Sequence, residues 1–305
     1  MKEKPLMVAK RALIEMRERS KKQGARLEII AAGTTGYGEQ LFAKAFQAEY
    51  HTVETVAHAR AVQKYVSDAT FILDIGGQDM KAIWMDTGVI TNILVNEACS
   101  SGCGSFLENF ASTLQIPSKQ IAEVAFSSRH PAVLGSRCTV FMNSSIITEQ
   151  RNGRQPEDIM AGLCRSIIEN VFTKVVRISN RDSLGDRIVV QGGTFENDAV
   201  VRAMEEYLGR EVFRAPYPGI MGAIGIALIA KERHQKEPEK RTFIDLDSLD
   251  DFSISRSPIL RARSARTIVR GRSSPSPTAM RGSRTTGVRG ERCLACRRIP
   301  MFGSS

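Results

Sequence analysis

The sequence predicts an α/β fold, because apolar patterns typical of helices and of strands alternate along most of its 305 residues. Two short apolar runs end in Gly-Gly pairs, as buried strands that lead into tight turns do. The composition, 42% hydrophobic and 25% charged, is ordinary for a globular protein. No apolar run approaches the roughly 18 residues of a membrane span, and no signal-peptide core is recognisable. We therefore expect neither a membrane protein nor a secreted one.

The first part of the chain predicts three helices and two strands. Residues 5–21 carry apolar side chains at helical spacing with charges between them, which indicates an amphipathic helix. Leu27–Ala32 is an apolar run closed by a glycine-rich turn, and it predicts a strand. Short helices are predicted over Glu39–Phe46 and Ala57–Tyr65. Phe71–Ile75 is a continuous apolar run of strand length, typical of a buried strand.

A hairpin and two helices are predicted next. Met80–Met85 and Val89–Val95 flank Asp86-Thr87-Gly88, a sequence that favours a tight turn between antiparallel strands. Gly104–Leu114 predicts a helix whose apolar residues share one side. Asp158–Ile178 predicts the longest helix, since its apolar residues trace one continuous face.

The last ordered part of the chain repeats the strand–glycine–helix pattern. Ile188–Gln191 predicts a buried strand, and a helix is predicted from Asn197 to Leu208. Gly219–Ala230 is rich in small residues and predicts a closely packed helix. We expect a main domain over 1–235 and a linker over 236–254.

The net charge of +10 comes from the C-terminal tail. Between Ser255 and Ser305 there are twelve Arg, no Lys and one acid, a net of +11, so residues 1–254 carry −1. This Ser-, Arg- and Gly-rich tail has no sustained apolar period and is predicted to be disordered. A solvated or out-of-frame tail is a better interpretation than a nucleic-acid-binding arm, because the tail alone is basic.

Two glycine-rich turns are candidate phosphate-binding segments. Asp74-Ile-Gly-Gly-Gln-Asp79 follows a strand, where glycine lets backbone N–H groups approach a phosphate and a carboxylate can hold Mg²⁺. Gly192-Gly193 also follows a strand and precedes a helix. Each signal alone is weak, since such turns are common. The fingerprints of P-loop and Rossmann nucleotide sites are absent from the sequence.

Two of the six cysteines are candidate metal ligands. Cys99 stands just before a predicted helix start, where the helix dipole favours a thiolate, and Cys138 lies at another element boundary. If each chain supplies two thiolates, a symmetric dimer supplies the four that an iron–sulfur cluster usually needs. From the residues alone, buried unreactive cysteines are an equally good interpretation. Cys164 lies on an apolar helix face and is predicted to be a core residue.

Four segments together resemble one family. They are Asp74-IGGQDMK-Ala82, Asn96-EACSSGCGSF-Leu107, Gly135-SRCTVFMNS-Ser145 and Val190-QGGTFENDAV-Val201. In this order they resemble the activators of 2-hydroxyacyl-CoA dehydratases and the ATPase subunits of benzoyl-CoA reductase. The resemblance runs from about Gly33 to Lys231 and is greatest to the long, multi-domain members.

The resemblance implies the actin-like ATPase fold shared with sugar kinases and Hsp70. It implies a cytoplasmic homodimer with one [4Fe-4S] cluster between the two copies, which uses ATP and Mg²⁺ to pass a low-potential electron to a dehydratase-type partner. The electron would come from a ferredoxin or a flavodoxin in an anaerobic cell. The implied catalytic residues are Asp79 and Gln78. The implied cofactor-binding residues are Asp74, Gly76, Gly77, Gly102, Gly104, Gly192 and Gly193, and the implied cluster ligands are Cys99 and Cys138.

The sequence departs from the family pattern at both ends. No Asp-x-Gly-Ser-Thr segment occurs, although the family opens with it on the first strands of its first lobe. We therefore expect a first lobe without its opening strands, in a truncated or frame-shifted piece of a longer activator. Two alternatives stay open: a non-catalytic remnant that keeps the dimer and cluster surface, and an actin-like small-molecule kinase. The kinase explains neither Cys99 nor Cys138.

Overall fold

The computed structural model describes residues 5–96, 103–136, 139–178 and 180–250. The tail predicted to be disordered, 255–305, lies outside these residues. The helices are α1 Pro5–Lys22, α2 Glu39–Phe46, α3 Glu54–Tyr65, α4 Gly104–Thr113, α5 Ile121–Phe126, α6 Thr139–Arg151, α7 Pro156–Asn170, α8 Asp198–Leu208 and α9 Met221–Lys236. The strands are β1 Gly33–Thr35, β2 Tyr50–Thr52, β3 Phe71–Ile75, β4 Met80–Asp86, β5 Val89–Asn96, β6 Ile188–Gln191 and β7 Phe213–Arg214.

Five strands form the main sheet in the order β5-β4-β3-β6-β7. β3 pairs antiparallel with β4 and parallel with β6, so that Leu73 lies opposite both Ala82 and Val190. All residues of β3 and β6 are buried, as their unbroken apolar sequences predict for strands covered on both faces. Helices α4, α5, α7 and α8 cover one face of the sheet, and α3 covers the other.

Helix α9 packs closely on α3, because glycine removes the side chain at the crossing. A Cβ at Gly225 would lie 1.8 Å from the backbone oxygen of Ala57. Ile226 and Ile229 bury themselves beside that contact. The predicted close-packing helix is confirmed, and its contact fixes the orientation of α3 relative to the sheet.

A smaller unit is built around the parallel pair β1–β2. Helices α1 and α2 pack there with residues 243–249, which belong to the segment predicted as a linker, and Leu246 and Leu249 are buried. Glu49 holds this unit together, since its carboxylate accepts hydrogen bonds from the backbone N–H groups of Ala32, Thr242 and Phe243 at 2.7–2.9 Å.

Most predicted elements are confirmed, and one strand is wrong. The strand predicted over Leu27–Ala32 is described as extended chain, and β1 begins only at Gly33. The reason is local: the N–H of Ala32 bonds to the Glu49 carboxylate and not to a neighbouring strand. The predicted helix Asp158–Ile178 is α7 continued by a π-helical segment, Val171–Val176. Among the described helices, none has the length and apolar character needed to cross a bilayer.

Candidate functional site

The two glycine-rich turns meet at one edge of the main sheet. Gly76-Gly77 follows β3 and Gly192-Gly193 follows β6, and these strands are parallel neighbours. The carboxyl ends of parallel strands are where open α/β sheets bind ligands. The fold therefore brings together two segments that are more than 110 residues apart in sequence, as the Thr194 hydroxyl shows by donating to the Gly76 carbonyl at 3.0 Å.

The first turn of α4 docks on the turn after β3. The N–H of Gly104 donates to the Gly76 carbonyl at 2.9 Å, and the N–H of Ser105 donates to the Gly77 carbonyl at 2.8 Å. A Cβ at Gly104 would lie 2.6 Å from the Thr194 hydroxyl oxygen, so a side chain there would push the two turns apart. The start of α4 thus moves with the first glycine turn.

The glycines differ in what surrounds them. Gly192 has φ +91°, and a Cβ there would lie 2.3 Å from the carbonyl oxygen of Ile75. Gly192 is therefore required by the backbone itself. At Gly77 and Gly193, by contrast, no protein atom lies within 4 Å of the Cβ position. Space remains there for a ligand to approach the main chain.

A cleft of about 550 Å³ borders the second turn. Its walls include Glu196, Arg214, Tyr217 and Ile220, with Tyr217 and Ile220 largely exposed. The cleft adjoins Gly193, because the N–H of Gly192 donates to the Pro218 carbonyl at 2.8 Å and the next residue, Gly219, packs near Gly193. One wall is therefore apolar and aromatic while the other is acidic, with the open glycine turn at one end.

Two carboxylates flank the first turn. Asp79 closes it, since the N–H of Gly76 donates to the Asp79 carbonyl at 2.9 Å and Asp79 Oδ1 lies 2.7 Å from the Cβ position of Gly76. Asp74 is the fourth residue of β3 and only 4% exposed. Its Oδ2 has no hydrogen-bond partner among the described residues, and burial raises the pKa of this carboxyl. Gln78 is exposed on the turn.

The fold adds buried polar side chains that sequence reasoning missed. His58 of α3 lies with Nδ1 3.4 Å from Asp74 Oδ2 and 2.6 Å from the amide nitrogen of Gln191. Its Nε2 lies 3.2 Å from Glu54 Oε1. The Oε1 atom of Gln191 is buried and, among the described residues, also lacks a hydrogen-bond partner.

The residues that converge here lie within a known family's sequence pattern. The BadF/BadG/BcrA/BcrD ATPase family model matches residues 1–230. The chain belongs to this family. It is 32% identical to the 2-hydroxyisocaproyl-CoA dehydratase activator of Clostridioides difficile over 71% of this chain and 79% of that protein. It is 33% identical to the (R)-2-hydroxyglutaryl-CoA dehydratase activating ATPase of Acidaminococcus fermentans, over 66% and 75% respectively.

Solved structures of two activators have the same fold. The activator of 2-hydroxyisocaproyl-CoA dehydratase from Clostridium difficile, solved with bound ADPNP, matches with a TM-score of 0.65 at 30% identity, over 75% of this chain and 84% of that one. Component A of the Acidaminococcus fermentans enzyme matches with a TM-score of 0.62 at 31% identity, over 68% and 78%. One of the benzoyl-CoA reductase subunits of Thauera aromatica is 26% identical over 76% and 81%. The family resemblance and the α/β fold predicted from it are confirmed.

The cysteines predicted to bind a cluster are not described. Cys99, Gly102 and Cys138 lie outside the described residues. Cys103 is buried directly before α4, and Cys164 is buried in α7, where burial raises its thiol pKa to about 12. Such a thiol is unreactive. Within the described part of this family member, no group of three or more His, Cys, Asp or Glu side chains is placed to hold a metal ion.

Proposed function

We propose that this chain is an ATP-dependent activator, which hydrolyses MgATP and delivers a low-potential electron to a 2-hydroxyacyl-CoA dehydratase or a related acyl-CoA reductase. The observation that carries the proposal is the meeting of the two glycine turns with Asp74 and Asp79 at the carboxyl edge of the sheet, in a member of an ATPase family. An edge of this kind is suited to bind a nucleotide triphosphate and its cation.

The residues present fit MgATP. The open backbone at Gly77 and Gly193 leaves room for phosphates, and the adjoining cleft of about 550 Å³ is of a size and character to hold the adenosine. Oxygen ligands suit Mg²⁺, and the Asp74 carboxylate has an unpartnered oxygen beside the turn. In this arrangement Asp79 and Gln78 act on the reacting phosphate, with Asp79 fixed at the end of the turn and Gln78 free to reach it.

A [4Fe-4S] cluster is the second part of the proposal. Cys99 and Cys138 from each of two copies would supply its four thiolates, and the cluster would supply one-electron transfer. Helix α4 supports a link between nucleotide and cluster, because its first two N–H groups bond the Gly76-Gly77 turn and the Cys99 segment leads into it. A shift of that turn would therefore move the start of α4 with it.

The partners follow from the relatives' names. Two relatives are named as dehydratase activators and one as part of benzoyl-CoA reductase, so we propose an acyl-CoA dehydratase or reductase as the electron acceptor. A ferredoxin or a flavodoxin is the proposed donor. The active form is proposed to be a homodimer, since one chain offers only two of the four thiolates.

ATP hydrolysis and iron content test the two parts separately. Anaerobically reconstituted protein is expected to hold about two iron per chain and to hydrolyse ATP in a Mg²⁺-dependent manner. Asp79→Asn is expected to lower the hydrolysis rate at least about tenfold with iron unchanged. Asp86→Asn, an exposed change at the end of β4, is the matched control and should leave the rate unchanged.

Each failure has its own meaning. Protein that holds iron but hydrolyses no ATP would be the non-catalytic remnant, and the proposed activity would be wrong. Protein that hydrolyses ATP at a rate unaffected by Asp79→Asn would refute the assigned role of Asp79. Iron retained in full by Cys99→Ser would refute the assignment of the cluster ligands.

A further inference from the structure

Strand β4 carries one charged side chain in its buried stretch, and that side chain is Lys81. Its neighbours Met80, Ala82 and Ile83 are fully buried apolar residues, and the Lys81 side chain is only 5% exposed. In the register of the sheet, Lys81 lies directly opposite Asp74 of β3. A buried ammonium is costly unless it is paired, so the position of Lys81 requires specific partners.

Two carboxylates from different elements hold the ammonium. Lys81 Nζ lies 2.5 Å from Asp79 Oδ2 at the end of the glycine turn and 3.3 Å from Glu54 Oε2 at the start of α3. Burial acts to lower the pKa of Lys81, but its hydrogen bond to Asp79 and the negative charge of Glu54 outweigh burial and raise it. Lys81 is therefore a permanent cation at this place.

Glu54 is itself fixed. Its Oε1 is hydrogen-bonded to His58 one helical turn further along α3, and this bond together with the Lys81 charge lowers the pKa of Glu54. The network therefore runs from α3, which α9 holds in place, through Lys81 to the glycine turn. Glu54 anchors the ammonium from the side away from the turn.

The contacts of Asp79 give its two oxygens different roles. Oδ2 accepts hydrogen bonds from Lys81 and, at 3.3 Å, from the hydroxyl of Tyr37. Oδ1 lies against Gly76, 2.7 Å from where a Cβ would stand, and so faces the glycine turn. Fixing Oδ2 therefore sets the direction of Oδ1.

We propose that Lys81 is a positioning residue, whose ammonium, anchored by Glu54, holds Asp79 Oδ2 so that Oδ1 is presented to the phosphates at the Gly76-Gly77 turn. The inference rests on the proposed function, because it assigns Asp79 a task in nucleotide turnover. Lys81 acts only through Asp79, and it is Asp79 that faces the nucleotide. Its removal should affect the rate of hydrolysis more than nucleotide affinity.

The first experiment replaces the ammonium with an uncharged side chain of similar length. Lys81→Met is expected to lower kcat for ATP by about tenfold to hundredfold, the loss typical of a misplaced catalytic group, with KM changed by less than about threefold. The exposed Lys119, changed to Met as a matched control, should leave both constants as in the wild type. A Lys81→Met variant that is folded and retains the wild-type kcat would overturn the proposal.

A double-mutant cycle separates positioning from a structural role. In the Asp79→Asn background, Lys81→Met should lower kcat by less than about twofold, because the group that it orients is already lost. Losses that multiply in full would show that Lys81 acts independently of Asp79 and would overturn the proposal. Should Lys81→Met not fold, Glu54→Gln takes its place in the cycle, with the same pattern at smaller size.

Binding keeps this test distinct from that of the proposed function. If the wild-type chain does not hydrolyse ATP, the proposed activity is wrong, and the same cycle is measured on the affinity for a Mg²⁺-bound, non-hydrolysable ATP analogue. Coupling of more than about threefold between Lys81 and Asp79 would then support positioning. Independent effects of the two changes on the affinity would overturn it.

Discussion

Gly192→Ala perturbs the closest approach between the two strands that form the site. The φ of +91° at Gly192 is one that side-chain-bearing residues rarely adopt, and the added Cβ would meet three backbone atoms of Ile75 at 2.3–2.7 Å. Backbone atoms in a fully buried central strand cannot move aside as a flexible side chain can. The substitution must therefore distort the carboxyl ends of β3 and β6 together.

The magnitude follows from two contributions. A residue held at a positive φ costs about 1–3 kcal/mol, and overpacking of a well-packed core costs about 1–3 kcal/mol more. Together these predict a loss of about 2–6 kcal/mol in the free energy of unfolding. For a domain of this size, that corresponds to a fall in Tm of roughly 5–20 °C.

The adjacent Gly193 provides the matched control. A Cβ at Gly193 meets no protein atom within 4 Å, so Gly193→Ala should change Tm by less than about 2 °C. It should nevertheless weaken MgATP binding, because the methyl group occupies the space proposed for the nucleotide. Thermal unfolding followed by circular dichroism measures the first effect, and calorimetric titration with MgATP the second. Equal Tm values for the two variants would refute the reasoning from the Gly192 contacts.

Three further predictions concern single side chains. Asp74→Asn should stabilise the nucleotide-free chain by about 1 kcal/mol, since it removes a buried charge whose pKa burial raises, yet weaken MgATP binding; destabilisation in thermal melts would contradict this. Glu49, with its usual pKa of 4.5, has a lowered pKa because three backbone hydrogen bonds outweigh burial. Its stabilisation is present above about pH 4.5 and is lost as the pH falls, so Glu49→Gln should flatten the acid limb of stability against pH; an unchanged limb would refute it. Cys164, with a thiol pKa of about 12, should resist iodoacetamide at pH 8 until the chain unfolds, and labelling of the folded protein, read by mass spectrometry, would count against its burial.

The sequence predicts elements well where the apolar pattern alone decides them. Strands β3 and β6 and helix α2 have the predicted bounds, because continuous apolar runs and a short amphipathic stripe determine them locally. Helix α6 was not predicted, since its sequence Thr139–Arg151 is largely polar and, among its described side chains, only Met142 and Ile146 are buried. That helix is held by its contacts with α7, which no local pattern records.

The candidate site divides in the same way. The glycine turns were found from sequence because glycine after an apolar strand is a local signal. Glu54, His58 and Lys81 were not, since each looks ordinary in its own segment: two polar residues on a helix and one lysine on a strand. Only the pairing of Lys81 opposite Asp74, and the packing of α3 on the sheet, bring them together.

The charges of the site explain why it sits where the sheet is otherwise most apolar. Asp74 is buried with an oxygen that no described residue satisfies, whereas Lys81 and Glu54 are paired. A fold selected only for stability would replace the buried Asp74 by an apolar residue, because an unpaired buried charge destabilises the native state. The network instead supports Asp79 with the Lys81 ammonium and leaves Asp74 in need of a positive partner. A bound divalent cation would satisfy that need, so the least stable charge of the chain lies at the place where the proposed MgATP would neutralise it.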